Sequence, residues 1–141
     1  MMWKAALLMF KAHPVIGVGT GDYVHALKEL RKARVKPRLV PAFLLKFNQP
    51  HNMYLFSLAT NGIAGLAALL FIFYRGLRST VPVVRSDTGE KLFAFLAMAT
   101  LVHFMIAGFM DSFFNIQILR YAFAFILGIC IRSSATCVHR A

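Results

Sequence analysis

The chain has 141 residues, of which 59% are hydrophobic and 15% charged, and its 16 Lys+Arg against 5 Asp+Glu give a formal net charge of +11. The apolar residues gather in blocks too long for the half-buried elements of a small globular domain, which argues for a membrane protein and against an ordinary water-soluble one. The basic excess points to anionic partners, phospholipid headgroups and lipid phosphates, while nucleic acid is set aside because no zinc-finger, RNP or basic-zipper pattern accompanies it.

The opening segment holds Trp3, Leu7 and Phe10 at i, i+4 and i+7, so the spacing predicts an amphipathic, interfacial helix with Lys4 and Lys11 left in water. It has no apolar run followed by a small-residue cleavage site, so it does not read as a signal peptide. Pro14 ends this helix, and the glycines of "GVGTGDY" supply a tight turn rather than a dinucleotide fingerprint, since no strand pattern precedes them. Asp22 is placed to cap a second amphipathic helix with Tyr23, Leu27 and Leu30 on one side. Lys28, Arg31, Lys32, Arg34, Lys36 and Arg38 crowd the other side and the residues beyond it, and Pro37 and Pro41 break the helix that carries them. This basic run reads equally as a headgroup-facing surface or as a phosphate site.

Three apolar spans come next, over residues 53–74, 92–110 and 113–131, each near the length needed to cross a hydrocarbon core of about 30 Å. The expected class is therefore all-α, a polytopic membrane protein with three transmembrane helices preceded by amphipathic interfacial helices. Its segments are a head over residues 1–52, a membrane region over 53–132 and a polar tail over 133–141. Residues 75–91 are expected to form a polar connection. The second and third spans should form a hairpin around Asp111, with Arg120 a candidate partner for that aspartate. Asn61, Gly62 and Gly65 suggest close helix packing in the first span. His103 reads as a packing residue inside the second span. Cys130 and Cys137 have no metal-ligand spacing around them. Counting Lys and Arg does not orient the spans, because both the head and the loop after the first span are basic.

His51 and Asn52 stand at the doorstep of the first span, where capping its N-terminus would be sufficient reason for a polar pair. Taken with Trp3, His13, Pro14, Gly17, Gly19, Gly21, Gly62 and Gly65, however, they form an ordered set. That set resembles the C-terminal part of the bacterial O-antigen ligase family, which includes O-antigen polymerases and protein oligosaccharyltransferases. The resemblance implies a cofactor-free, metal-independent transferase of the bacterial inner membrane, with its N-terminal segment periplasmic and its C-terminus cytoplasmic. Its partners would be an undecaprenyl-pyrophosphate-linked glycan and a glycan acceptor such as lipid A core. His51 and Asn52 would be catalytic, and Arg31, Arg34 and Arg38 candidates for holding the diphosphate. Members of the family have many more spans than three, so the chain is expected to be a fragment that needs upstream transmembrane helices. A small non-catalytic membrane protein that binds anionic lipid is the rival reading.

Overall fold

The computed structural model describes residues 2–32, 46–86, 89–112 and 117–138. Five helices account for most of them: α1 (Met2–Ala12), α2 (Tyr23–Lys32), α3 (Met53–Arg85), α4 (Lys91–Ala107) and α5 (Gln117–Val138). No strand occurs among the described residues. The chain falls into two compact units, Met1–Leu69 with Gly108–Asn115, and Leu70–Ala107 with Ile116–Ala141.

The core of the first unit is built on small residues. Ala5, Ala6 and Met9 of α1, Tyr23 and Leu27 of α2 and Ala59 of α3 form one buried cluster, with Leu55 and Phe56 packed against it. Alanines at the contact let backbones approach closely, and the Tyr23 ring lies 5.7 Å from that of Phe56. The face of α1 that packs carries Ala5, Ala6 and Met9, and the Trp3–Leu7 side expected at an interface is left uncovered. Trp3 and Leu7 are exposed, because the apolar surface of a helix that must meet another helix closely is the small-residue side. The expected Tyr23–Leu27 face of α2 is the buried one.

The decisive feature lies in α3. Gly62 adopts φ 66° and ψ −160°, a conformation essentially closed to other residues, and breaks the helix. In an unbroken helix the carbonyls of Ala59 and Thr60 would accept from the N–H groups of Ile63 and Ala64. Here Val18 N–H donates to Ala59 O and Gly19 N–H to Thr60 O, both at 2.9 Å, while Ile63 donates to Pro14 O at 2.9 Å and Ala64 to Val15 O at 3.3 Å. The turn after α1 is threaded into the break, and all four backbone groups are satisfied. Gly62 is therefore not the helix-packing glycine that the sequence suggested. A Cβ there would overlap the backbone of Val15, and one on Gly17 would overlap the backbone of Thr60 and Asn61. Gly65 acts differently, by leaving space for the Asn61 side chain, which a Cβ would strike and whose Oδ1 accepts from Thr20 Oγ1 at 2.9 Å.

In the second unit α4 and α5 pack together as the expected hairpin. Phe123 meets Phe73 and Phe104 at ring separations of 5.5 and 5.4 Å. Gly76 leaves room for the Leu101 and Leu127 side chains. The helix that begins at Met53 continues to Arg85, so residues 75–85 are helical rather than a polar connection. Ser79 and Thr80 fold their hydroxyls onto the Gly76 carbonyl, hiding their polarity within the turn. α5 likewise runs on to Val138, through most of the stretch set apart as a tail. α3 is the one described helix long and apolar enough to cross a membrane; α4 and the 118–129 portion of α5 are shorter apolar helices. α4 is apolar around its circumference, with Phe93, Leu96, Val102 and Ile106 exposed, and His103 is exposed beside the Phe104 ring.

Two outcomes test this description. Gly62→Ala should destabilise the protein by about 3 kcal/mol or more, since it combines a forbidden conformation with a backbone clash, whereas Gly89→Ala, in open space, should change it by less than about 0.5 kcal/mol. Thermal unfolding in detergent compares them. Burial also pushes the Tyr23 hydroxyl up to about 12, against 10 in the unfolded chain. Between those pH values the unfolded chain gives up a proton that the folded one keeps, so stability falls as pH rises through this window, by up to about 3 kcal/mol. Melting curves of Tyr23→Phe at pH 9 and pH 11 should lack that share of the loss.

Candidate functional site

His51 sits on the last turn of chain before α3, after the buried Pro50, in the left-handed region at φ 51°. A non-glycine residue held there costs on the order of 1 kcal/mol, and the strain serves an arrangement: the ring is turned toward the segment that joins α4 to α5. His51 Nδ1 lies 3.2 Å from Asp111 Oδ1. The same oxygen accepts from Ser112 N–H at 2.7 Å and from Gln49 Nε2 at 3.3 Å. A carboxylate only accepts, so this contact assigns the proton to Nδ1 and leaves the lone pair on Nε2. Nε2 has no partner among the described residues. The side chain of His51 is 41% exposed and that of Asp111 35%, so solvent screens the pair and it orients the ring more than it stabilises the fold. The Phe47 ring meets the imidazole edge-on at 5.8 Å.

Asn52 is buried and both ends of its amide are engaged. Oδ1 accepts from Leu55 N–H at 2.9 Å, the capping bond of α3, and Nδ2 donates to Phe109 O at 3.1 Å. Its own N–H donates to Ser112 Oγ at 3.1 Å, and Met53 N–H donates to Gly108 O at 2.7 Å. The first N–H groups of a helix need partners, and here the segment 108–112 supplies two of them. The Tyr54 and Phe109 rings close the same corner at 4.7 Å. Asn52 thereby fixes the backbone that carries Asp111 relative to the backbone that carries His51.

The remaining sequence candidates divide. His13 and Pro14 form the start of the threaded turn through their carbonyls, to Gly17 N–H and Ile63 N–H. Gly17, Gly19 and Gly21 all hold positive φ, as the turn requires. Arg31 is exposed in the last turn of α2, whereas Arg34 and Arg38 lie outside the described residues. Asp111 pairs with His51 rather than with Arg120. Sequence reading missed Asp111, Gln49 and Ser112 as members of the site. The signal for Asp111 was its rarity, one of 5 acidic residues in a chain of charge +11, but nothing in the order of residues says that 111 folds back onto 51.

The strain at His51 can be measured directly. His51→Gly should leave stability within about 1 kcal/mol of the parent, because relief of the left-handed backbone offsets the lost ring contacts. His51→Val, whose branched side chain resists positive φ, should cost about 2 kcal/mol in the same thermal unfolding experiment.

The family profile described as O-antigen ligase matches residues 1–70. An uncharacterized protein of Haemophilus influenzae is 35% identical over 71 residues, which is 50% of this chain and 17% of that relative, so the match spans about a sixth of the relative's length. The family domain and the apolar length of α3 together point to a membrane protein. Through residues 1–70, which hold the threaded turn, the broken helix and the His51–Asn52 corner, the chain belongs to the O-antigen ligase family.

Proposed function

We propose that this chain carries the catalytic corner of a glycan ligase of the bacterial inner membrane. The donor is a glycan on undecaprenyl pyrophosphate, and the acceptor is a hydroxyl of lipid A core. The observation that carries the reading is the oriented imidazole: Nδ1 against Asp111 Oδ1 at 3.2 Å, with Nε2 on an open face. The acceptor O–H gives its proton to His51 Nε2 as its oxygen attacks the anomeric carbon. The bond from that carbon to the pyrophosphate oxygen breaks, and undecaprenyl pyrophosphate leaves with the bonding pair. Because the leaving group is already a stabilised anion, the protein needs a base and positive charge near the phosphates rather than a strong acid. Arg31, Arg34 and Arg38 are the residues assigned to that charge, since guanidinium forks match phosphate oxygens. Asp111 is the positioning residue that holds the ring through Nδ1, and Asn52 holds the two segments of the corner together.

In this reading α3, α4 and α5 cross the bilayer, with the head on the periplasmic face and the C-terminus in the cytoplasm. The apolar circumference of α4 supports it, because a helix apolar on every side is suited to lipid or to other helices. The whole enzyme draws on further transmembrane helices to wall the lipid carrier, in keeping with the small share of its relative that the chain covers.

The test is transfer of labelled glycan to lipid A core in a ligase-deficient strain expressing the full reading frame. His51→Ala should reduce transfer by about 10²- to 10⁴-fold. Asp111→Ala should cost more than Asp111→Asn, because Ser112 N–H and Gln49 Nε2 would keep an amide oxygen in the place of Oδ1 and so preserve the ring's orientation. Full transfer by His51→Ala would end the proposal. Lengthened glycan on the carrier, with none on lipid A core, would assign the same corner to a polymerase, and glycan on protein would assign it to an oligosaccharyltransferase.

A further inference from the structure

Between the end of α1, the glycine turn and α2 lies a groove of about 660 Å³, within the range of sites that hold small organic ligands. Its floor is apolar, with Met9, Val18 and Ala26, and its rim carries His13, Asp22, His25 and Glu29. Asp22, His25, Ala26 and Glu29 stand at i, i+3, i+4 and i+7, so they share one face at the start and along the length of α2. Tyr23 and Leu27 face the core, and Lys28, Arg31 and Lys32 are exposed. The helix therefore sets both carboxylates and an imidazole over the groove, with Lys32 paired to Glu29 at one end of it and Lys28 and Arg31 outside its lining. In a chain with 5 acidic residues against 16 basic ones, two of the five border this single concavity.

That lining suits a neutral polar ligand better than a polyanion. With two carboxylates against the one cation paired to Glu29, the groove offers little to the diphosphate of the carrier. Glu29 accepts from Lys32 Nζ at 2.9 Å, and this contact holds its carboxyl below the ordinary range, keeping it an acceptor. Carboxylates and imidazoles above an apolar floor match a sugar ring, which presents hydroxyl donors at its edge and C–H groups on its face. We propose that this groove binds a sugar unit of the glycan or of its acceptor, away from the bond that is made. The inference rests on the ligase reading above. Such remote contacts supply binding energy that helps to position the reacting groups.

Equilibrium binding to the purified full-length protein tests it, with two soluble probes measured separately by titration calorimetry: lipid-free core oligosaccharide and lipid-free O-chain polysaccharide. At least one should bind the parent. Ala12→Trp, which puts an indole into the groove from an exposed position, should weaken that binding by about tenfold or more. Glu29→Gln changes one exposed carboxylate without touching the apolar floor and should weaken it in the same direction, so the result stands even if the larger variant folds poorly. The probe that responds tells acceptor from donor. Binding of neither probe, or affinities unchanged in Glu29→Gln and in folded Ala12→Trp, overturns the proposal. Binding is read without turnover, so the two ideas fail separately. His51→Ala that still transfers glycan would remove the base and leave the groove, whereas wild-type affinity in both groove variants would remove the groove and leave the base.

Discussion

A helix interrupted at one residue has four backbone groups with nowhere to go, and in an apolar setting each would cost several kcal/mol. The rest of the first unit is organised by how those groups find partners. The carbonyls of Ala59 and Thr60 and the N–H groups of Ile63 and Ala64 are all taken by residues 14–19. Glycine is required on both sides of the joint, Gly62 for its conformation and Gly17 for its clearance. With the turn fixed, α1 and α2 are brought against α3 through Ala5, Ala6, Ala59, Tyr23 and Leu27. One end of α3 is thereby tied to the amino-terminal helices before any side chain of the site is considered.

The site uses a second tie at the start of the same helix. Asn52 caps α3 with one end of its amide and holds the Phe109 carbonyl with the other. The reading of this pair as a helix cap and the reading of it as a reactive corner are therefore not rivals. The cap is Asn52, and by being a cap it brings Asp111 to the His51 ring. Among the described residues, the Nε2 of His51 is left without a partner. The chemistry proposed for it needs a correctly turned ring and positive charge near the phosphates but no strong acid, because the departing pyrophosphate is already a good leaving group.

What the sequence disclosed depends on what periodicity and punctuation encode. The end of α1 and the start of α2 were legible, since Pro14 and Asp22 act through local backbone chemistry. The glycine turn was legible for the same reason. The Trp3–Leu7 side of α1, expected at an interface, is left uncovered, and what the spacing did not mark is the opposite side, where close helix contact selects Ala5 and Ala6. The reach of α3 to Arg85 was missed because Arg75, Arg78 and Pro82 look like loop residues, although a helix can carry exposed arginines and fold Ser79 and Thr80 onto its own carbonyls. The partnership of residue 51 with residue 111 is a product of topology, which no local pattern records. The positive φ of His51 is of the same kind, as its local residue type gives no warning of it.

Because the joint at Gly62 is made of main chain, it counts residues and, beyond the glycines at 17 and 62, is nearly indifferent to their identity. Val15 and Ile16 are largely exposed at its tip, so their side chains are free to drift over evolutionary time. The number of positions between Pro14 and Gly19 is not free, since one insertion would shift every donor past its acceptor. Divergence in this part of the protein should accumulate as substitutions rather than as changes of length, and two copies could lose nearly all their likeness there while keeping the same clasp.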